Sequence, residues 1–399
     1  MKKLMILGAS ILQLPAIEQA KRMGLQVIAV DRDPEAIGFG VEGVIREVIS
    51  TNDIPSVLAS AKKHKIDGIM TLASDMPMRT IAKVSTELGL AGISEKTAYR
   101  ATDKAAMRKT LEKAGVPIPV YYKVSNEQEF FEAVQNLRKQ GYKVIVKPAD
   151  NSGSRGVEFI SNYTNEKLQE VYKYSKNLSR SGDIVVEEYM EGPEVSVETL
   201  TIKGECNIIQ ITDKLTTGAP YFVEMGHSQP SQLDEMIQKK IKEVTIAANR
   251  AIGITNGPSH TEIKVTDSGP KIVEIGARLG GDNIATHLVP LSTGIDMIEK
   301  CIFIALNKKV ELTIKKHEAS AIRYFTAKKG IIKKITGIEE AKNVEGIRQV
   351  SIVHGMGERV TTIRSSIDRI GFVISEAKTA ELAIGNCQNA ISKIEIETS

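Results

Sequence analysis

Lys147 closes an apolar run, Val144-Ile145-Val146, and is followed by a small-polar cluster comprising Asn151, Ser152, Gly153, Ser154, Arg155 and Gly156. A lysine at a strand end beside a Gly/Ser-rich loop is suited to a polyphosphate. Glycines let backbone N–H groups come close to the oxygens, hydroxyls add donors, and the ammonium supplies a point charge. The lysine precedes the glycines, so this is not a Walker A loop, in which it follows them. The same residues would also make a solvated hairpin tip, although such tips seldom need five small polar residues and an arginine after a buried lysine.

A second set lies further on. Glu262 (HTEIKV) and Glu274 (VEIGARLGG) sit in short apolar segments flanking the turn residues Asp267-Ser268-Gly269-Pro270. Counting inward from that turn places both acids at comparable heights on two strands of a hairpin. Like charges facing each other in a sheet repel and call for a cation between them. Carboxylate oxygens suit a hard divalent ion that also takes phosphate oxygens. Arg278, just beyond, has the fork that neutralises a phosphoryl group or a carboxylate bidentately. A wet cross-strand acid pair is the alternative.

Two further segments are weaker by themselves. Val185–Leu200 (VVEEYMEGPEVSVETL) reads as strand, Gly192-Pro193 turn and strand, and its acids can be solvated. Gly8 with Asp31 loosely fits a dinucleotide fingerprint, with an acid 23 positions after a glycine. Only one of the three glycines is present, so the first lobe is expected to be Rossmann-like in shape and not in ligand.

These residues need elements to hold them. KLMILG, LQVIAVD and IDGIMTL are apolar runs alternating with helical stretches, which predicts βαβ units and a parallel sheet in roughly the first hundred residues. The helix AAMRKTLEKAG then stops at Gly115, and VPIPV is a stiff connector. From Val144 to Thr201 the pattern is strand-rich around residues 151–156. A helix is expected over Gln232 to Ile252, followed by strands around TEIKV and PKIVEIG. After about Val310 short strands and glycine turns dominate. The division is 1–103, 104–310 (with a lid at about 116–190) and 311–399, giving an α/β lobe, a larger mixed lobe and a small α+β end.

Bulk properties narrow the function classes. The 399 residues carry a net charge of +4 with no block of like charge, and 5% are aromatic with no tryptophan. That disfavours nucleic acid, which needs a basic patch and stacking platforms. No run reaches the roughly 18 apolar residues that span a bilayer. MKKLMILGASILQLPAI has a leader-like start, but Gly8, Gln13 and Pro15 fit strand, turn and helix better. Cys206, Cys301 and Cys387 are isolated and read as reduced thiols, so a cytoplasmic protein is expected.

Taken in order, the segments resemble the ATP-grasp superfamily, over nearly the whole chain. The resemblance implies a pre-ATP-grasp lobe, a two-lobed ATP-grasp domain and a C-terminal α+β lobe, with ATP and Mg²⁺ (or Mn²⁺) as ligands. Lys104 in TDKAAMRKTLEKAGVPIP and Lys147 in VIVKPAD are similar to the family's nucleotide-binding lysines, and NSGSRG (with Ser152, Gly153, Ser154 and Gly156) to its lid. EEYM resembles the adenine hinge, with Glu187 and the backbone around Glu188 and Met190 facing the base. Glu194 is similar to the ribose acid, Glu262 and Glu274 to the metal acids, and Arg278 to the basic residue beside the transferred phosphate. SAIRYFTAKKGIIKKITG and DRIGFVISEAKTAELAI look like the end of carboxylase-like members.

Carboxylase-like members have asparagine two residues after the second metal acid, where this chain has Gly276. EIGARLGGD is instead similar to amino-acid ligases and related carboxylate–amine ligases. The resemblance therefore implies an ADP-forming ligase that activates a small-molecule carboxylate as an acyl phosphate and passes it to an amine. It also implies a homodimer, by likeness to related enzymes. In that group PYFVEMGHSQPS resembles a substrate-side loop, so His227 would contact donor or acceptor, or merely cap a turn; Arg155 is a further substrate candidate. Formate or bicarbonate activation, and ATP binding without catalysis, are the alternatives.

Overall fold

The computed structural model describes residues 1–399 except Ser152 and Ser154. Those two lid candidates lie outside the described residues.

The chain opens as strand β1 (Lys3–Leu7), a turn at Gly8 and helix α1 (Leu14–Arg22), followed by β2 (Gln26–Asp31), β3 (Ile45–Val48), α2 (Ile54–His64), β4 (Gly68–Met70) and α3 (Met78–Leu88). The four strands pair in parallel in the order β3-β2-β1-β4. Asp31 has a local role: its carboxylate accepts the Ala9 N–H at 2.8 Å and so ties down the turn where Gly8 takes a φ of +97°. That explains the single glycine, because only one residue there needs a left-handed backbone.

Helices α4 (Glu95–Thr102) and α5 (Lys104–Lys113) lead to the lid. Asp103 caps α5, accepting the Ala106 N–H, and so starts the helix at Lys104. The segment expected to be the lid comprises β5 (Tyr121–Val124), α6 (Glu127–Lys139), β6 (Val144–Pro148), β7 (Glu158–Phe159), α7 (Asn165–Asn177) and β8 (Ile184–Glu188), its strands ordered β5-β8-β6-β7. Phe130, Val134, Leu137, Leu168, Val171 and Val186 give it a core of its own. Helix α7 departs from the strand-rich expectation for this stretch. Thr164 caps it, and Leu168, Val171, Tyr172 and Ser175 form one buried face at helical spacing.

The large lobe contains β9 (Glu194–Ile202), β10 (Glu205–Thr216), β11 (Glu224–Gln229), α8 (Glu235–Ile252), β12 (Gly257–Thr266), β13 (Gly269–Gly276), α9 (Val289–Thr293) and α10 (Met297–Ala305). The chain ends with β14 (Ala319–Phe325), β15 (Gly330–Thr336), α11 (Ile338–Lys342), β16 (Ile347–Ile352), β17 (Arg359–Val360), β18 (Gly371–Ala377), α12 (Ala380–Ile391) and β19 (Glu395–Thr398). An eight-stranded sheet, β13-β12-β9-β10-β11-β14-β18-β16, runs through both regions. The C-terminal region thus has its own small core and also completes the central sheet. Helix α10 shares a core with the N-terminal lobe, where Cys301 and Ile302 lie with Leu4, Ile6 and Leu72.

Candidate active site

Strands β12 and β13 form the hairpin that holds the acid pair. Glu262 and Glu274 are direct cross-strand partners, and the register slips immediately after them, so that Ile263 faces Ile272. The slip leaves Val273 as an extra residue on β13, a bulge of the kind that re-aims its neighbours. The Val273 carbonyl accepts from Arg108 Nη2 at 2.8 Å. One irregularity therefore aligns the two acids and fastens α5 to the hairpin.

The cations come from other elements. Lys104, at the start of α5, donates from Nζ to Glu274 Oε1 at 2.9 Å and to the Asn151 carbonyl at 2.7 Å, linking the lid loop to the hairpin. On β6, Lys147 donates to Glu187 Oε2 at 3.0 Å, and Arg108 Nε donates to Glu187 Oε1 at 2.6 Å. Burial pushes the Glu187 carboxyl up, but Arg108 and Lys147 outweigh it and hold it at about 2. A charge so deep tolerates burial only when paired on this scale. Both Glu187 oxygens are thereby committed to Arg108 and Lys147 rather than turned outward.

Around Glu262 the charges alternate. Lys214 on β10 reaches Glu262 Oε1 at 3.2 Å, Glu194 Oε1 at 2.7 Å and Glu224 Oε1 at 3.5 Å. Burial opposes its charge, but the three acids raise its pKa well above the usual value. His260 is also near, with Nε2 3.5 Å from Glu262 and Nδ1 on the buried Glu198. Burial lowers the imidazole and Glu198 more than restores it, to about 9. Glu198 Oε2 accepts the Gly280 N–H at 3.1 Å, and a side chain at Gly280 would meet both Glu198 and His260. The loop bearing Arg278 is thereby seated on the strands bearing Glu262.

Arg278 projects toward the N-terminal lobe, where Nε and Nη2 donate to the two Asp75 oxygens at 2.9 and 3.2 Å. Gly276 makes that pairing sterically possible: a Cβ there would come 2.7 Å from Asp75 Oδ1 and 3.3 Å from Arg278 Nε. His227 on β11 is buried, its Nε2 3.4 Å from Asp282, and its Nδ1 has no partner among the described residues. Asp282 is in turn held by Arg369 at 2.8 and 2.9 Å.

Residues 140–286 match the family model described as ATP-grasp domain, and 323–399 match L-amino acid ligase C-terminal domain 2. The L-arginine-specific L-amino acid ligase of Bacillus subtilis is 30% identical over 288 residues, which is 70% of this chain and 67% of the relative. The chain belongs to the ATP-grasp carboxylate–amine ligases. The alanine–anticapsin ligase of Bacillus subtilis strain 168 is 29% identical over 62% of this chain and 55% of its own length. The crystal structure of the L-amino acid ligase from Bacillus licheniformis superposes with a TM-score of 0.84 at 24% identity, covering 100% of this chain and 99% of that one. At that identity the likeness speaks for the fold.

ATP-grasp ligases use ATP with a divalent metal. Several residues singled out in the sequence are brought into ion pairs: Lys104 with Glu274, Lys147 with Glu187, and Glu194 with Glu262 through Lys214. Glu194 also meets Lys264 at 3.2 Å. Glu188 is turned to Val120 N–H and Lys271, while Met190 is buried at the hinge. Gly153 and Gly156 both take positive φ, and a Cβ on Gly156 would strike Pro148. Arg155 is exposed on the same loop. Sequence reasoning missed Arg108, Lys214, His260, Glu198, Asp75 and Asp282. The alternation Glu194, Ser196, Glu198 and His260, Glu262 along two strands was a usable signal, since period-two residues share a face. Among the described residues no three or more His, Cys, Asp or Glu gather as a metal set, and no helix is long and apolar enough to cross a membrane.

Proposed function

We propose that this ATP-grasp ligase joins the carboxylate of an amino acid to an amine-bearing acceptor, with release of ADP and phosphate. The observation that carries the residue assignments is the cross-strand pair Glu262 and Glu274 with Lys104 on Glu274, while Lys147 is held on the lid sheet by Glu187. Its chemistry fits the ligands: lysines for phosphate oxygens, and two carboxylates for a hard cation that fills its other positions with phosphate and water. Glu262 and Glu274 would hold Mg²⁺ or Mn²⁺, and the ion would neutralise phosphate charge as it develops. The names of the relatives, both of them ligases of amino acids, support an amino acid as the donor.

In this reading Lys104, Lys147 and the backbone of Gly153 and Gly156 orient the triphosphate, while Glu194 and the Glu188–Met190 hinge take the nucleoside. A carboxylate oxygen of the donor attacks the γ-phosphorus in line, the bond to the β–γ bridging oxygen breaks, and ADP leaves with that electron pair. Arg278 keeps N–H groups beyond those given to Asp75 and stabilises the acyl phosphate electrostatically. The acceptor amine then attacks the acyl carbon, the C–O bond to phosphate breaks, and the amine loses a proton. His227 and Arg155 line the substrate side. Closure of the lobe that carries Lys147 would keep water from the acyl phosphate.

A bicarbonate-using carboxylase is disfavoured by Gly276, because the Asp75–Arg278 pair occupies the room that an asparagine would need. The test is ADP release measured across pairs of carboxylates and amines with mass detection of the product. An amide formed from an amino acid supports the proposal. ADP release with bicarbonate or formate, and none with amino acids, overturns it.

A further inference from the structure

Both acids assigned to the metal already have a fixed cation. Glu274 is held by Lys104 at 2.9 Å, and Glu262 by Lys214 at 3.2 Å. The two lysines differ in what else they touch. Lys104 also bonds the Asn151 carbonyl at the root of the lid loop, so a phosphate arriving under the lid competes for it directly. Lys214 is enclosed by Glu194, Glu224 and Glu262, from strands β9, β11 and β12, with 4% of its side chain exposed. It has no comparable route of escape.

A divalent ion entering alone would have to displace Lys104 from Glu274 and sit close to the ammonium of Lys214. Like charges at such separations, in a partly dehydrated cleft, repel far more than in water. With nucleotide present the balance reverses. Polyphosphate would compete with Glu274 for Lys104, supply oxygen ligands of its own and offset the charge of Lys214.

We propose that Lys214 is a built-in counter-ion and positioning residue that keeps Glu262 aligned while making metal binding depend on nucleotide, so that metal and ATP enter together. This rests on the assignment of Glu262 and Glu274 under Proposed function. It differs from a purely structural role for Lys214 in the sign of its consequence. Removing a structural support weakens metal binding, whereas removing a competing charge strengthens it.

The test is Mn²⁺ binding to the full chain followed by electron paramagnetic resonance, with and without a nonhydrolysable ATP analogue, corrected for Mn²⁺ held by free analogue. In the wild type, Mn²⁺ is expected to bind at least about tenfold more weakly without the analogue, within the usual range of coupling between sites. In Lys214→Gln, which keeps a hydrogen-bond donor and loses the charge, nucleotide-free binding is expected to tighten about fivefold or more. Equal wild-type affinity with and without the analogue overturns the proposal, even if the variant does not fold. Glu274→Gln separates the two readings. Unchanged Mn²⁺ binding in that variant overturns the metal assignment, and the counter-ion role with it. Weakened binding there, with unaltered or weakened nucleotide-free binding in Lys214→Gln, overturns the counter-ion role alone.

Discussion

Glu262 and Glu274 face each other across the β12–β13 ladder, yet their carboxylates turn to different lysines, Glu262 to Lys214 and Glu274 to Lys104. Two acids in register would normally push the strands apart. Here each is neutralised from a separate element, so the pair is kept ready without straining the hairpin.

With Glu274 as a metal acid, as proposed, Glu274→Ala is expected to spare the fold and cost turnover. Glu274 keeps 30% of its side chain exposed, and Lys104, left without it in Glu274→Ala, still donates to the Asn151 carbonyl. ADP release is expected to fall by about 10²–10³-fold, the loss typical of removing one electrostatic contributor to a transition state. Urea unfolding of the variant should remain a single cooperative transition. Unchanged ADP release would rule out the metal role.

Arg108 and Glu187 are a different case, because both side chains are essentially sealed from solvent. Arg108→Met strands the Glu187 carboxylate with Lys147 alone and is expected to destabilise the protein by about 3–5 kcal/mol, as breaking buried pairs does. Adding Glu187→Met should recover much of the stability. It should not recover affinity for ATP, since Lys147 loses its anchor. Urea midpoints and the KM for ATP of the single and double variants distinguish the two effects.

Acid sensitivity follows from the same carboxylate. Glu187 is held at about 2, below its ordinary value of 4.5, by Arg108 and Lys147 acting against burial. The unfolded chain therefore takes up this proton first as pH falls. The contribution of Glu187 is complete above about pH 4.5 and drains away toward pH 2. Asp282, depressed by Arg369 and His227 against its burial, has the same sign. Urea midpoints measured down to pH 2 should fall steeply through that window in the wild type. The slope should be shallower in the Arg108→Met, Glu187→Met double variant.

Gly276→Asn introduces the residue found in carboxylase-like relatives. Its Cβ would lie 2.7 Å from Asp75 Oδ1, so Asp75 and Arg278 must separate. With Arg278 displaced, kcat for ligation is expected to fall by at least about tenfold, since misplaced electrostatic groups lose their stabilisation. The KM for ATP should change little. Asp75→Ala in the same chain makes space and should return part of the loss. A Gly276→Asn enzyme with wild-type kcat would show that the Asp75–Arg278 geometry does not matter to the reaction.

Much of this was legible in the residues. Alternating apolar runs announced the parallel first lobe, because a buried parallel strand must be apolar on both faces. The turn Asp267-Ser268-Gly269-Pro270 placed Glu262 opposite Glu274, since hairpin register follows from its turn. Lys147 and the glycines after it were marked by local chemistry, whereas Lys104 stood out only through the resemblance to ATP-grasp proteins. Helix α7 was overlooked because its apolar face, Leu168, Val171 and Tyr172, is narrow within a polar stretch and is decided by packing on the lid sheet.

What the sequence determined alone was the order of the lobes and which residue types stand at strand ends and turns, because those depend on neighbours close in the chain. Only the tertiary structure decided the partners: Arg108 with Glu187, Lys214 with three acids, Asp75 with Arg278 and Asp282 with Arg369. Each joins residues more than about 20 positions apart or on different elements. Nothing in local spacing encodes which charge meets which. At Glu187 and Asp282 that pairing keeps the carboxylate charged against burial, since an isolated buried charge is unstable and a paired one is held.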